Sequence, residues 1–296
     1  MTAFFNAVGF GVVTAALLAL ATSGLSLQYG VSRLPNFAQG DIMTVGAYAA
    51  YTVNGAFHSL AIDGVIAALA GGVMAWLVYL LLIRPFAQRS GTNRLTAVVS
   101  TLAGSLIIEN ILLVIFGGNP VAFPTVQGAS DHIGPFLLTN EQLVIIGVAL
   151  VALLALHAAL KFTFIGKAVR AVADHRDLAR VSGLPAAALT QLTWAFSGLL
   201  TGIAGFMLGL TAGALVPTLG FDYLLVIFAA AVVGGIGNIG GALVGALIVG
   251  IGMTVGAVYI SSDYKEVVAL ILLIVTILLR PTGLFGRRQS ARRFAI

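Results

Sequence analysis

Cysteine is absent from this chain. That excludes disulfides, a thiol nucleophile and any Cys-based metal site. Charge is scarce too: Asp, Glu, Lys and Arg make up 8% of the 296 residues, against about 25% in a soluble domain. No G-x-x-x-x-G-K-[ST] segment occurs, so the chain carries no phosphate loop for ATP. His58, His132, His157 and His175 are scattered, with no H-x-x-x-H pair, and no G-x-S-x-G elbow presents a serine. These absences argue against an enzyme, a resident metal and a cofactor bound by this chain.

What the chain does have is apolar length. Hydrophobic residues make up 59% of it, and its mean hydropathy is +1.07. All but Arg33 and Lys265 of the 15 basic residues fall in three stretches, Arg84 to Arg94, Lys161 to Arg180 and Arg280 to Arg293. Between them run nearly uncharged segments of about 20 residues, enough to cross ~30 Å of hydrocarbon. The pattern predicts an all-α polytopic membrane protein with about 8 transmembrane helices (7–9), forming one transmembrane domain over 1–296. A net charge of +5 and a pI near 9.8 would suit nucleic-acid binding in a soluble protein. Confinement of the basic residues to loops on one side explains them without it.

Charge and length place spans at about 6–27, 37–57, 62–83, 95–116, 141–160, 189–210 and 266–279, with a Gly-broken region over 222–258. The N-terminus lacks a basic region and a clear cleavage site, so it reads as a retained first span. Because Lys and Arg stay cytoplasmic, the loops 84–94 and 161–188 and the tail 280–296 lie inside, and the N-terminus lies outside. Asp63, Asp131, Glu141, Asp222, Asp263 and Glu266 then fall at outer ends, as does the long loop 117–140 with Pro120, Pro124, Gly128 and Pro135. Parity requires 222–258 to begin and end on the same side. It therefore holds two helices meeting at a turn formed by Gly234, Gly235, Gly237, Gly240 and Gly241. The first arm, 222–233, is only ~18 Å of helix, which predicts a re-entrant or Gly-broken pair. Leu at Gly235 or Gly240 is expected to be more damaging than Leu at Ala246.

Gly198, Gly202, Gly205 and Gly209 form one stripe in the 189–210 span. It suits close packing within the chain or against a partner. Asp41 sits near the start of span 2, where a helix N-terminus stabilises an acid. Glu109 and Asn110 fall mid-span, where an ionised acid costs ~2.5–3.5 kcal/mol and should face water or the bundle interior. A neutral, hydrogen-bonded structural role and a place along a solute pathway are both open to Glu109, as capping and a functional role are to Asp41. Asn36, Gln39, Asp41, Glu109 and Asn110 are the pathway candidates, Asp41 holding the span terminus. The segment 166–184 has helical apolar spacing at Val169, Val172 and Ala173, continued by Leu178, Ala179 and Val181, and stops at Gly183 and Pro185. It reads as a juxtamembrane amphipathic helix or a docking helix. Gly166, Lys167, Arg170, Asp174, Arg176 and Gly183 are its docking candidates.

Four motifs in order resemble the permease subunits of branched-chain amino acid ABC importers. They are Gly24-Leu-Ser-Leu-Gln-Tyr-Gly-Val-Ser-Arg-Leu-Pro-Asn-Phe-Ala-Gln-Gly-Asp41, the segment Gly166 to Asp174, the glycine run, and Arg280-Pro-Thr-Gly-Leu-Phe-Gly-Arg287. Gln39, Asp41 and Glu109 depart from the usual His, Glu and amide. The resemblance implies a non-catalytic subunit of a multi-pass bacterial inner-membrane importer. Its implied partners are a second permease (similar or identical), two cytosolic ATPases using ATP and Mg, an extracytoplasmic solute-binding protein and membrane lipid. Related permeases carry urea and short amides, which keeps other small polar solutes open. A secondary transporter would show inverted repeats and midplane ion-coupling groups; only Glu109 qualifies, and no repeat stands out in the sequence.

Overall fold

The computed structural model describes residues 2–57, 59–88, 94–123, 130–133 and 136–286. His58, the centre of the 84–94 loop, Pro124, Gly128, Pro135 and the tail from Arg287 lie outside them. The chain begins with α1 (Thr2–Ser32), α2 (Gln39–Phe57) and α3 (Leu60–Val78), and α3 continues through a π-helical turn, Tyr79–Ile83, into α4 (Arg84–Gln88). Then come α5 (Arg94–Phe116), a small antiparallel pair β1 (Ser130–Ile133) and β2 (Phe136–Thr139), and α6 (Asn140–Phe162). The rest is α7 (Phe164–Asp174), α8 (Arg176–Val181), α9 (Ala186–Ala212), α10 (Leu219–Gly234), α11 (Ile239–Tyr259) and α12 (Lys265–Leu279). Among the described residues 6 helices are long and apolar enough to cross a membrane, and α10 is a shorter apolar one. The protein is a multi-pass membrane protein of the expected helical class.

Each expected span has its helix. The first arm of the glycine-broken pair is longer than 222–233, because apolar residues from Leu219 join it ahead of Asp222. At 16 residues it is still only about 24 Å long. It pairs antiparallel with α11, whose Gly241 and Gly245 lie on Gly234 and Ala230. Asp222 and Asp263 therefore point toward the same end of the molecule. The turn between the two arms needs left-handed backbone at Gly235 and Gly237, with φ 105° and 86°, values that glycine adopts without penalty.

That turn is held by the C-terminal segment. Leu284 N–H donates to the Val233 carbonyl at 2.9 Å and Phe285 N–H to the Gly234 carbonyl at 3.0 Å. Both carbonyls belong to the last turn of α10, which has no intrahelical partners for them. Asn238 caps α11 by accepting from Gly241 N–H at 3.3 Å, and its Nδ2 donates to the Phe285 carbonyl at 3.0 Å. The closing Arg-Pro-Thr-Gly-Leu-Phe-Gly stretch is thus the cap of a short helix. Within the glycine run, Gly240 is exposed and faces only the Asn238 side chain, whereas Ala246 is fully buried. This reverses the expected order of tolerance at those two positions.

The same plan is used twice, in opposite directions. A long helix (α1, α9) leads into a short non-helical segment with a proline (Pro35, Pro217). A helix then starts inside the bundle with a glycine and an aspartate (Gly40 and Asp41; Gly220 and Asp222), and another helix returns along the core. The most extensive contacts are crosswise, α1 with α11 and α3 with α9. Gly40 and Gly220 meet backbone to backbone: a Cβ on either would fall on the other's carbonyl oxygen. No repeat stands out in the sequence because only this skeleton is shared. The glycine stripe of α9 is spent within the chain: Gly198 lies on Gly71, Gly202 on Ala67 and Gly205 on Met43.

Candidate functional site

The start of α2 lies deep in the bundle and carries three of the pathway candidates. Segment 33–38 brings the chain up from the end of α1, and the fully buried Asn36 turns it by accepting from Ala38 N–H at 3.1 Å. Asn36 Nδ2 donates to Gln28 Oε1 at 3.0 Å and to Gln39 Oε1 at 3.4 Å. Gln39 Nε2 in turn donates to Thr201 Oγ1 of α9 at 2.6 Å and to the Ala21 carbonyl of α1 at 3.3 Å. Ser197 closes the chain of bonds with a 2.8 Å donation to the Gly24 carbonyl. This polar seam ties α1, α2 and α9 together, and a buried amide left unpaired here would cost ~1–3 kcal/mol.

Asp41 is in the first turn of α2 and accepts from Ser105 Oγ of α5. Thr44, one turn on, accepts from Gly220 N–H at 2.9 Å, satisfying one of the orphan donors at the start of α10. Asn36, Gln39 and Asp41 are fully buried inside the single chain.

Glu109 and Asn110 stand elsewhere. They lie on α5 one turn beyond Ser105, Glu109 half-buried and Asn110 exposed. Asn110 Nδ2 donates to the Leu106 carbonyl at 2.7 Å. Apart from α4, α5 packs on α2 and the π-helical turn, and its other flank is an apolar face of Leu106, Ile107, Leu113 and Val114. Two polar side chains thus interrupt an open apolar face, backed by the Ser105–Asp41 bond.

At the end of the molecule where α1 finishes, Thr163 caps α7 by accepting from Gly166 N–H at 3.0 Å. Ala168, Val169 and Val172 bury against the bundle, while Lys167, Arg170, Asp174 and Arg176 are exposed. Gly166 sits against the end of α6, where a Cβ would meet the Ala159 carbonyl. The segment is not one continuous helix: His175 is extended, at φ −145° and ψ 92°, and separates α7 from α8. Gly183 ends α8 with φ 80°. Leu178 and Val181 do not continue the buried face; they are 64% and 88% exposed. Sequence reasoning missed Gln28, Ser105, Ser197 and Thr201. Their signal was a polar residue at helical spacing inside an apolar span, which many helices absorb as a bond to their own backbone.

The family model described as branched-chain amino acid transport system, permease component, matches residues 7–277. The chain is 32% identical over 291 residues to the high-affinity branched-chain amino acid transport system permease protein LivH of Escherichia coli, covering 94% of each. It is 30% identical over 291 residues to the corresponding protein BraD of Pseudomonas aeruginosa, again covering 94% of each. Among solved structures, PsaBC from Streptococcus pneumoniae in complex with Fab has a TM-score of 0.51 at 11% identity, covering 93% of this chain and 92% of that one. This last likeness concerns the fold alone.

Proposed function

We propose that this chain, which belongs to the family of branched-chain amino acid transport system permease components, forms one wall of the membrane passage of an ATP-driven importer of branched-chain amino acids. Family membership across nearly the whole chain is the observation that carries the reading. A second permease, similar or identical, faces the open side of α5 and closes the passage. Glu109 and Asn110 offer hydrogen bonds to the ammonium and carboxylate of a passing amino acid, and the surrounding Leu and Ile accept its aliphatic side chain. Asn36, Gln39 and Asp41 support that wall from behind.

The basic end of the molecule is cytoplasmic by the positive-inside rule, in a bacterial inner membrane, with the N-terminus outside. Two cytosolic ATPase subunits, which bind ATP and Mg, dock against α7 and α8 through Arg170, Arg176 and the exposed Leu178 and Val181. An extracytoplasmic binding protein selects the solute, so the passage needs no tight site of its own.

The test is uptake of radiolabelled leucine, isoleucine and valine by the complete complex in proteoliposomes, with and without ATP. ATP-dependent uptake that Glu109→Gln retains and Glu109→Leu loses supports hydrogen bonding on this face. Uptake of leucine that ignores ATP contradicts the reading.

A further inference from the structure

Arg33 stands where the proposed docking segment meets the buried polar seam. Its guanidinium Nη2 donates to the Ala173 carbonyl at 2.8 Å. Ala173 is in the last turn of α7, whose carbonyls lack intrahelical partners and whose dipole favours a cation. Arg33 is also the single non-glycine residue with positive φ among the described residues, at 55°. Its N–H still donates to the Tyr29 carbonyl at 2.8 Å, as the close of α1. One side chain therefore ties α7 to the backbone position at which the chain leaves α1.

The next five residues give that tie its meaning. Segment 33–38 is short, contains Pro35 and is non-helical; its helical bonds are at its ends, Arg33 N–H to the Tyr29 carbonyl and Ile42 N–H to the Ala38 carbonyl. Three residues beyond Arg33, Asn36 holds Gln28 and Gln39, and Gln39 holds Thr201 of α9. α7 also rests on the bundle through the apolar Ala168, Val169 and Val172, contacts that carry no direction of their own. The Arg33 bond is directional, and its carrier sits in a backbone conformation rarely adopted by a side-chain-bearing residue, a feature that clusters at switch regions.

We propose that Arg33 is the positioning residue that transmits movement of the docking segment to the seam at the start of α2, and so couples ATP hydrolysis to opening of the passage. The inference rests on the importer reading above. Displacing α7 pulls or releases the first residue of segment 33–38, and the bonds of Asn36 and Gln39 carry the shift into α1, α2 and α9.

The test measures solute taken up per ATP hydrolysed, by the complete complex in proteoliposomes, for Arg33→Ala, Arg33→Gly and Arg33→Lys. The glycine variant removes the guanidinium while relieving the left-handed backbone, so it separates contact from backbone shape and protects against misfolding. Alanine and glycine variants should keep their ATPase subunits and their basal hydrolysis, while solute per ATP falls roughly 3- to 30-fold. Lysine, which retains a donor on a long stem, should recover part of the ratio. A wild-type ratio in either the alanine or the glycine variant overturns the proposal. Loss of ATPase copurification in both overturns it too, because Arg33 would then serve folding or docking rather than coupling. If the wild-type complex itself shows no ATP-driven uptake, the importer reading fails and not this step alone.

Discussion

The first turns of α2 and α10 sit side by side at the same place in the bundle, joined through Gly40 and Gly220, yet they are chemically unlike. The α2 turn is polar: Gln39 reaches two other helices, and one carboxylate oxygen of Asp41 accepts from Ser105. The α10 turn is apolar, with Leu219 in the place of Gln39; its backbone depends on Thr44 of the opposite half for a partner, and Asp222 is exposed. A helix end buried in a membrane must find partners for its free N–H groups or lose several kcal/mol. Thr44 of the first half supplies such a partner to Gly220 of the second. The skeleton is thus shared between the halves, while the polar side chains that open the short helix belong to α2 and are met from the second half by Thr201 of α9.

The largest effect is expected where the two halves touch. Gly40→Ala and Gly220→Ala each drive a methyl into the other glycine's carbonyl. Each should lower the stability of the detergent-purified protein by about 1–3 kcal/mol, the usual cost of overpacking. A loss at only one of the two positions would break the picture of a reciprocal contact.

Next comes the chemistry that distinguishes the halves. Gln39→Leu makes the α2 turn resemble its apolar counterpart. It strips Asn36, Thr201 and the Ala21 carbonyl of a partner. Loss of about 1–3 kcal/mol in the same unfolding assay is expected from stranding buried polar groups. A neutral result would contradict the reading of Gln39 as the partner those buried groups need.

The smallest effect separates glycines within one run. Gly240→Ala places a methyl in ordinary contact with the Asn238 side chain in the first turn of α11 and should be neutral, or stabilising by up to about 1 kcal/mol. Gly241→Ala meets the Gly234 carbonyl and should destabilise. Equal unfolding temperatures for the two variants would contradict the geometry of the hairpin.

Much of this architecture was legible in the sequence. Span positions, the basic end and the helix pair parted by glycines come from length and charge, which are local signals. The stop at Gly183 and the position of Asp41 in a first helical turn were legible for the same reason. The repeat was not, because a close backbone crossing constrains little beyond Gly40 and Gly220, and the remaining residues of the two halves are free to differ. The break at His175 was hidden because apolar spacing runs on through Leu178 and Val181, although those side chains are exposed. The enclosure of Asn36 and Gln39 was hidden as well. A polar residue in an apolar span looks the same whether it faces a passage or braces a neighbouring helix, and only the partners Gln28 and Thr201 tell the two apart.

The central claim is that the passage runs along the open face of α5 and not through the seam behind it. Because the chain has no cysteine, single thiols report cleanly on water access. In the assembled transporter, Asn110→Cys should react with a membrane-impermeant thiol reagent, and leucine delivered by the binding protein should slow that reaction. Thr44→Cys, buried beside Gly220, should stay unreactive. Labelling of Thr44→Cys from water while Asn110→Cys reacts only with lipid-soluble reagents would contradict the account.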